Sequence, residues 1–176
     1  IGIDFDNTVV CYDQVFHEAA AQRGWIPADL PATKYNVRDY MRRHGNEDGW
    51  TEPQGYVYGP YMQNAPPFPG VLEFLTGCRR WRVPVRIISH KTPYPFQGPR
   101  YDLHKAAQEW LGAHGFYDPQ EAGLVAEQVS FEPTKEEKLH RIGAAGCTHF
   151  IDDLPEFLSE PGFPDGVERI LIDPND

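Results

Sequence analysis

Apolar positions along this chain fall into two alternating patterns. Short continuous runs at Ile1–Phe5, Val83–Ser89, Gln128–Phe131, Thr148–Asp152 and Glu168–Ile172 read as strands. Between most of them, apolar residues recur every three to four positions, as on one face of a helix. Val71, Leu72, Phe74, Leu75 and Cys78 make one such stripe. Leu103, Ala106, Ala107, Trp110 and Leu111 make a second, and Leu139 with Ile142 a third. Gly112, Gly115, Gly143 and Gly146 stand where helices are expected to end. Strands alternating with helices predict an α/β fold, in which a parallel sheet of about five strands is covered on both faces.

The interval from Val10 to Phe68 breaks the alternation. It holds three helical patterns, Tyr12–Arg23, Lys34–His44 and a Trp/Tyr-rich stretch from Trp50 to Met62, and no strand. It is too long for a loop and the right size for a small helical subdomain. The expected division is therefore a core of residues 1–10 and 67–176, with residues 11–66 forming a helical cap inserted after the first strand. The Ala65-Pro66-Pro67-Phe68-Pro69-Gly70 stretch is its return linker. Tyr12, Phe16, Trp50, Tyr56, Tyr58 and Tyr61 could stack on a ligand or build the cap's own core. Phe16 shares a helix face with Tyr12 and Ala19, which marks it as core.

Composition narrows the partners. A net charge of −10 argues against binding polymeric nucleic acid or an anionic membrane through the overall field, but not against one small phosphate in a locally positive pocket. No stretch approaches the roughly 20 apolar residues of a membrane span. Cys11, Cys78 and Cys147 lie far apart without metal-ligand spacing, which fits free thiols in a cytoplasmic protein.

Ligands of a doubly wound sheet bind beyond the carboxyl ends of its strands. Those ends carry Asp4, Asp6 and Thr8; Ser89, His90 and Lys91; Thr134, Lys135 and Lys138; and Asp152 with Asp153. Asp4 and Asp6 would share a face if the strand continued through them. Two carboxylates so close repel, and each raises the other's pKa. A dication or a retained proton relieves that repulsion, and either is chemistry. Thr134-Lys135-Glu136-Glu137 reads as a helix-capping box, which puts Lys135 in the first turn beside the strand end and Lys138 a turn deeper. Lys135 is accordingly the expected site lysine.

In order, these four segments resemble the four motifs of the haloacid dehalogenase (HAD) superfamily, whose core is Rossmann-like. Asp4-Phe5-Asp6-Asn7-Thr8 resembles its DxDx[TV] motif, and Ser89 the hydroxyl ending the second strand. Lys135 or Lys138 matches the motif III lysine, and Asp152-Asp153 the acidic motif IV. Asn7 replaces the glycine common at its position, and Asn tolerates the left-handed backbone that such a turn can need. The helical insertion is similar to a C1-type cap, and the whole resembles the 5′(3′)-deoxyribonucleotidases. The resemblance implies a Mg²⁺-dependent phosphomonoester hydrolase working through an aspartyl-phosphate. Asp4 is then the nucleophile, Asp6 the acid and base, and Ser89 and Lys135 the groups holding the phosphoryl oxygens. Asp4, the Asp6 carbonyl and Asp152 or Asp153 would hold the ion. Thr8, Asn7, His90 and Lys91 are the candidates for contacting the substrate, a small phosphomonoester such as a nucleoside monophosphate. A phosphotransferase or mutase of sugar phosphates, and a non-catalytic binding module of the same fold, remain as alternatives.

Overall fold

The computed structural model describes residues 1–44 and 47–172, with the side chains at 34, 35 and 47–52, Trp50 among them, outside that description. The chain divides into two compact units, residues 1–10, 67–92 and 111–176, and residues 11–66 with 93–110.

The first unit is an α/β, Rossmann-like domain. Its strands are β1 (Gly2–Ile3), β2 (Arg86–His90), β3 (Val129–Glu132), β4 (His149–Asp152) and β5 (Glu168–Leu171). They form one sheet in the order β3-β2-β1-β4-β5, with every neighbouring pair parallel. Parallel neighbours need crossovers, and the helices α4 (Val71–Arg80) and α6 (Lys135–Ala144) supply two of them, with a short α7 (Pro155–Leu158) after β4. Ile142, Phe150, Phe157, Leu158 and Phe163 pack with Ile88 of β2 into a buried cluster between the sheet and α6. β1 is central and buried, whereas β5, at the sheet edge, is exposed along its length, so the expectation of cover on both faces fails there.

The strand pairing sets what lies at the carboxyl edge. Ile3 pairs with Ile87 on one side and Ile151 on the other. The Asp4 amide then donates to the Ile151 carbonyl (2.8 Å), carrying the ladder one residue further and bringing Asp4 alongside Asp152. Gly2 makes this approach possible: a β-carbon there would stand 2.5 Å from the Phe150 ring and 3.0 Å from the Cys147 sulfur.

The second unit is helical. α1 (Asp13–Gln22), α2 (Lys34–Arg43) and α3 (Glu47–Tyr58) pack on one another, followed by a 3₁₀ turn at Met62–Asn64. Thr33 caps α2 by accepting from the Asn36 amide (3.1 Å). Phe16 and Tyr12 are fully buried within the unit's core, and the half-buried Tyr58 meets both rings edge-on at 5.5 and 4.9 Å.

Residues 93–110 belong to this second unit and not, as the sequence pattern suggested, to the sheet domain. The reason is local packing. The buried Trp110 indole donates to the Ala65 carbonyl (2.8 Å), and Gln63 reaches the Ala106 carbonyl. A β-carbon at Gly55 or Gly59 would stand 2.8 Å from Pro95 or Tyr101. Bare backbone on α3 and just after it admits the 95–101 segment at a distance that side chains would block. The remainder of α5 (Leu103–Ala113) runs on into the first unit. Among the described residues, no helix is long and apolar enough to cross a membrane.

Overpacking a filled core costs about 1–3 kcal/mol. Gly2→Ala is therefore expected to destabilise the protein by about that amount, read as a lower urea midpoint at unchanged slope. An unchanged midpoint would mean that the Phe150 ring yields freely.

Candidate active site

Four carboxylates and two ammonium groups meet at the carboxyl edge of the sheet. Lys138 lies one turn into α6, and its side chain is 4% exposed. Its Nζ donates to Asp4 Oδ1 and to Asp152 Oδ2, each at 2.6 Å. The ammonium also sits 3.9 Å from the centre of the Phe157 ring and 5.3 Å from that of Phe150, so aromatic faces line its remaining side. Asp152 is fully buried, and its second oxygen accepts from the Leu154 amide (2.9 Å). One oxygen each of Asp4, Asp152 and Asp153 lies within 4.8 Å of the others, close enough to share an ion.

Asp6 takes a separate partner. Lys91, 4% exposed, holds both Asp6 oxygens at 3.0 and 2.9 Å. β1 ends at Ile3, so Asp4 and Asp6 do not continue one extended strand. Instead the amides of Val9 and Val10 turn back onto the Phe5 carbonyl at 2.9 and 3.0 Å, and Asn7 adopts φ 61°. That left-handed turn is the one its side-chain type was expected to tolerate. The Asp6 carboxylate is not part of the three-acid cluster, and only its backbone carbonyl was expected to meet an ion.

The lysine expected from the capping box is not the one in the site. Thr134 does cap α6, accepting from the Glu137 amide at 3.1 Å and donating to its carboxylate at 3.0 Å. Lys135, however, points to Glu160 at 3.4 Å and is half exposed. The helical period explains the exchange. Lys138 and Ile142 are four residues apart on the face turned to the sheet, and both are buried. A lysine sharing a stripe with an apolar residue was the signal in the sequence that outranked proximity to the cap.

Ser89, at the end of β2, is 1% exposed. Thr8 is equally buried, and its Oγ1 finds no hydrogen-bond partner among the described residues. A hydroxyl left unpaired inside a protein is costly. His90 is turned outward and pairs through Nε2 with the Pro133 carbonyl (3.1 Å), bracing the turn before α6; burial pushes its pKa down. Asn7 is half buried in the turn after Asp6.

The electrostatics follow from crowding. Burial, with Asp152 and Asp6 beside it, drives the Asp4 pKa from 3.8 up to about 7, even though Lys138 pulls it down. Burial works against the Lys138 ammonium, but Asp4 and Asp152 more than offset that, so its pKa is raised and it stays charged. With two more acids than lysines in the group, a divalent cation fits: hard carboxylate oxygens, already converged, with an excess of negative charge. No protein-family model and no curated protein matches this chain.

Removing one partner of a buried ion pair typically costs about 3–5 kcal/mol, whereas an exposed pair contributes under about 1 kcal/mol. Lys138→Met should therefore lower stability by about 3 kcal/mol or more, and Lys135→Met by less than about 0.5 kcal/mol, both by urea denaturation. A second test uses pH. A carboxyl whose folded pKa is raised favours the folded state fully below its unfolded value, and that contribution is lost as pH climbs through the folded one. Between about pH 4 and pH 7, in chelator, the stability of Asp4→Asn relative to the unmodified protein should rise by on the order of 3 kcal/mol. A flat difference would show that Asp4 titrates normally.

Proposed function

We propose that this protein is a HAD-type phosphomonoesterase acting on a small phosphorylated metabolite, with nucleoside monophosphates the leading class. The observation that carries the reading is the shared ammonium: Lys138 bridges Asp4 and Asp152 at 2.6 Å each, with Asp153 within reach of the same point. Acids from the first and fourth motif segments and a lysine from the third thus converge, as the resemblance to that superfamily requires of a working site.

In this reading Asp4 attacks phosphorus, and the alcohol leaves with a proton from Asp6. Water then attacks the aspartyl-phosphate and returns a proton to Asp6, releasing phosphate. Lys138 and the Ser89 hydroxyl hold phosphoryl oxygens and stabilise the charge that develops on them. Asp4, the Asp6 carbonyl and the Asp152–Asp153 pair are the groups we assign to Mg²⁺, since one oxygen each of Asp4, Asp152 and Asp153 lies within 4.8 Å of the others. Bound there, the ion would offset the repulsion between the Asp4 carboxylate and a phosphate dianion. The three cysteines, none in a disulfide, fit a cytoplasmic setting.

The test is release of inorganic phosphate from a panel of nucleoside monophosphates, sugar phosphates and small acid phosphates with Mg²⁺. Activity should vanish with chelator and return with Mg²⁺, and Asp4→Asn should lower kcat at least about 1,000-fold while keeping the fold. Full activity in Asp4→Asn, or no ester cleaved across the panel, would overturn the reading.

A further inference from the structure

Lys91 was expected to touch a substrate anion, and the structure engages it elsewhere. Its Nζ spans both oxygens of Asp6 at 3.0 and 2.9 Å, and the side chain is almost wholly buried. The ammonium lies 5.7 Å from the centre of the Phe5 ring. Lys91 follows directly on β2, and its amide donates to the Glu132 carbonyl (2.8 Å), extending the β2–β3 ladder by one residue. The lysine is therefore fixed to the sheet. Asp6 stands on the turn after β1, with a side chain one-fifth exposed and the left-handed Asn7 next to it.

We propose that Lys91 is a positioning residue for Asp6 and makes no contact with the phosphoryl group. A carboxylate on a short side chain in a turn can swing through a wide arc, and Asp4, two residues away, belongs to the Asp4–Asp152–Asp153 cluster, where a bound cation would draw Asp6 in as well. Two donated hydrogen bonds from one buried ammonium fix both the direction and the plane of the carboxylate. They hold it out of that cluster, which leaves it to serve the leaving oxygen and later the attacking water. The division of labour between two acids two residues apart thus has a cause in the fold: each is drawn to its own lysine, Asp4 to Lys138 and Asp6 to Lys91.

This assignment rests on the phosphomonoesterase reading. In the first step the Asp4–phosphorus bond forms, the ester P–O bond breaks, and a proton that one Asp6 oxygen has taken up from solvent goes to the departing alcohol. In the second, water adds to phosphorus, its proton goes to Asp6, and the Asp4–phosphorus bond breaks. Lys91 exchanges no proton in either step. A misdirected Asp6 should hurt most where the leaving oxygen needs a proton, because general acid catalysis contributes about 10²–10⁴-fold.

The experiment compares kcat/KM, which stops at loss of the alcohol, for an alkyl phosphate and for p-nitrophenyl phosphate, whose phenolate leaves unaided. Lys91→Met should lower the first by about 100-fold or more and the second by less than about 5-fold, with the inhibition constant of inorganic phosphate unchanged. With p-nitrophenyl phosphate, adding Lys91→Met to Asp6→Asn should cost less than about 2-fold further, since the lysine acts through the acid. Equal losses for both esters, weaker phosphate inhibition, or a full additional loss in the Asp6→Asn background would overturn the assignment and make Lys91 a phosphate contact. Lys91→Gln, which keeps a neutral donor, guards against a folding artefact. Misfolding of both variants by circular dichroism would mean the pair is purely structural. If the unmodified protein cleaves neither ester and none of the panel, the phosphatase reading itself falls and this assignment with it.

Discussion

A single buried ammonium, that of Lys138, lies between the carboxylates of Asp4 and Asp152, and the arrangement of the sheet's carboxyl edge depends on it. Three acids within ligand distance of one another would not remain together in a protein interior on their own. One lysine reduces their repulsion without removing it. What is left shows in Asp4, whose pKa is carried up to about 7 by burial and by its acidic neighbours.

The geometry behind that contact has two independent sources. The register of β1 against β4, one residue past Ile3 and Ile151, sets Asp4 next to Asp152. The phase of α6 sets Lys138 on the same face as Ile142, so that burying the apolar stripe buries the lysine as well. Its ammonium lies over the rings of Phe150 and Phe157, which belong to the hydrophobic cluster beneath the site. Placement of the buried charges and packing of the core are therefore one structural problem here. The second pair, Lys91 with Asp6, repeats the device with a cation from the residue after β2.

The helical unit obeys a different constraint, close approach. Gly55 and Gly59 leave α3 and the residues after it bare where Pro95 and Tyr101 pack, and the Trp110 indole fastens to the Ala65 carbonyl. The aromatic residues that looked available for a ligand divide accordingly. Tyr12 and Phe16 are buried against Tyr58 as core, while Tyr56 stacks on Tyr61 at 5.3 Å with the Arg23 guanidinium 3.8 Å from its ring centre.

Periodicity alone determined the class of this fold. A strand has period two or is continuously apolar when buried, a helix has period 3.6, and both signals survive in a linear string because they are local. So the parallel α/β sheet, the helical insertion after Val10 and the residues at the strand ends were all legible. The left-handed turn at Asn7 was readable from the residue type, and the cap at Thr134 from its spacing to Glu137. What the string could not supply was partnership between distant residues. Whether Lys135 or Lys138 entered the site depended on the rotation of α6 against the sheet, and Lys91's attachment to Asp6 on a contact across 85 positions. The transfer of residues 93–110 to the helical unit rested on two glycines whose value lies in what packs onto them. Local sequence carries local conformation, whereas which charges share a buried space is set only when the chain has closed on itself, because desolvation and Coulomb energy depend on distance in three dimensions.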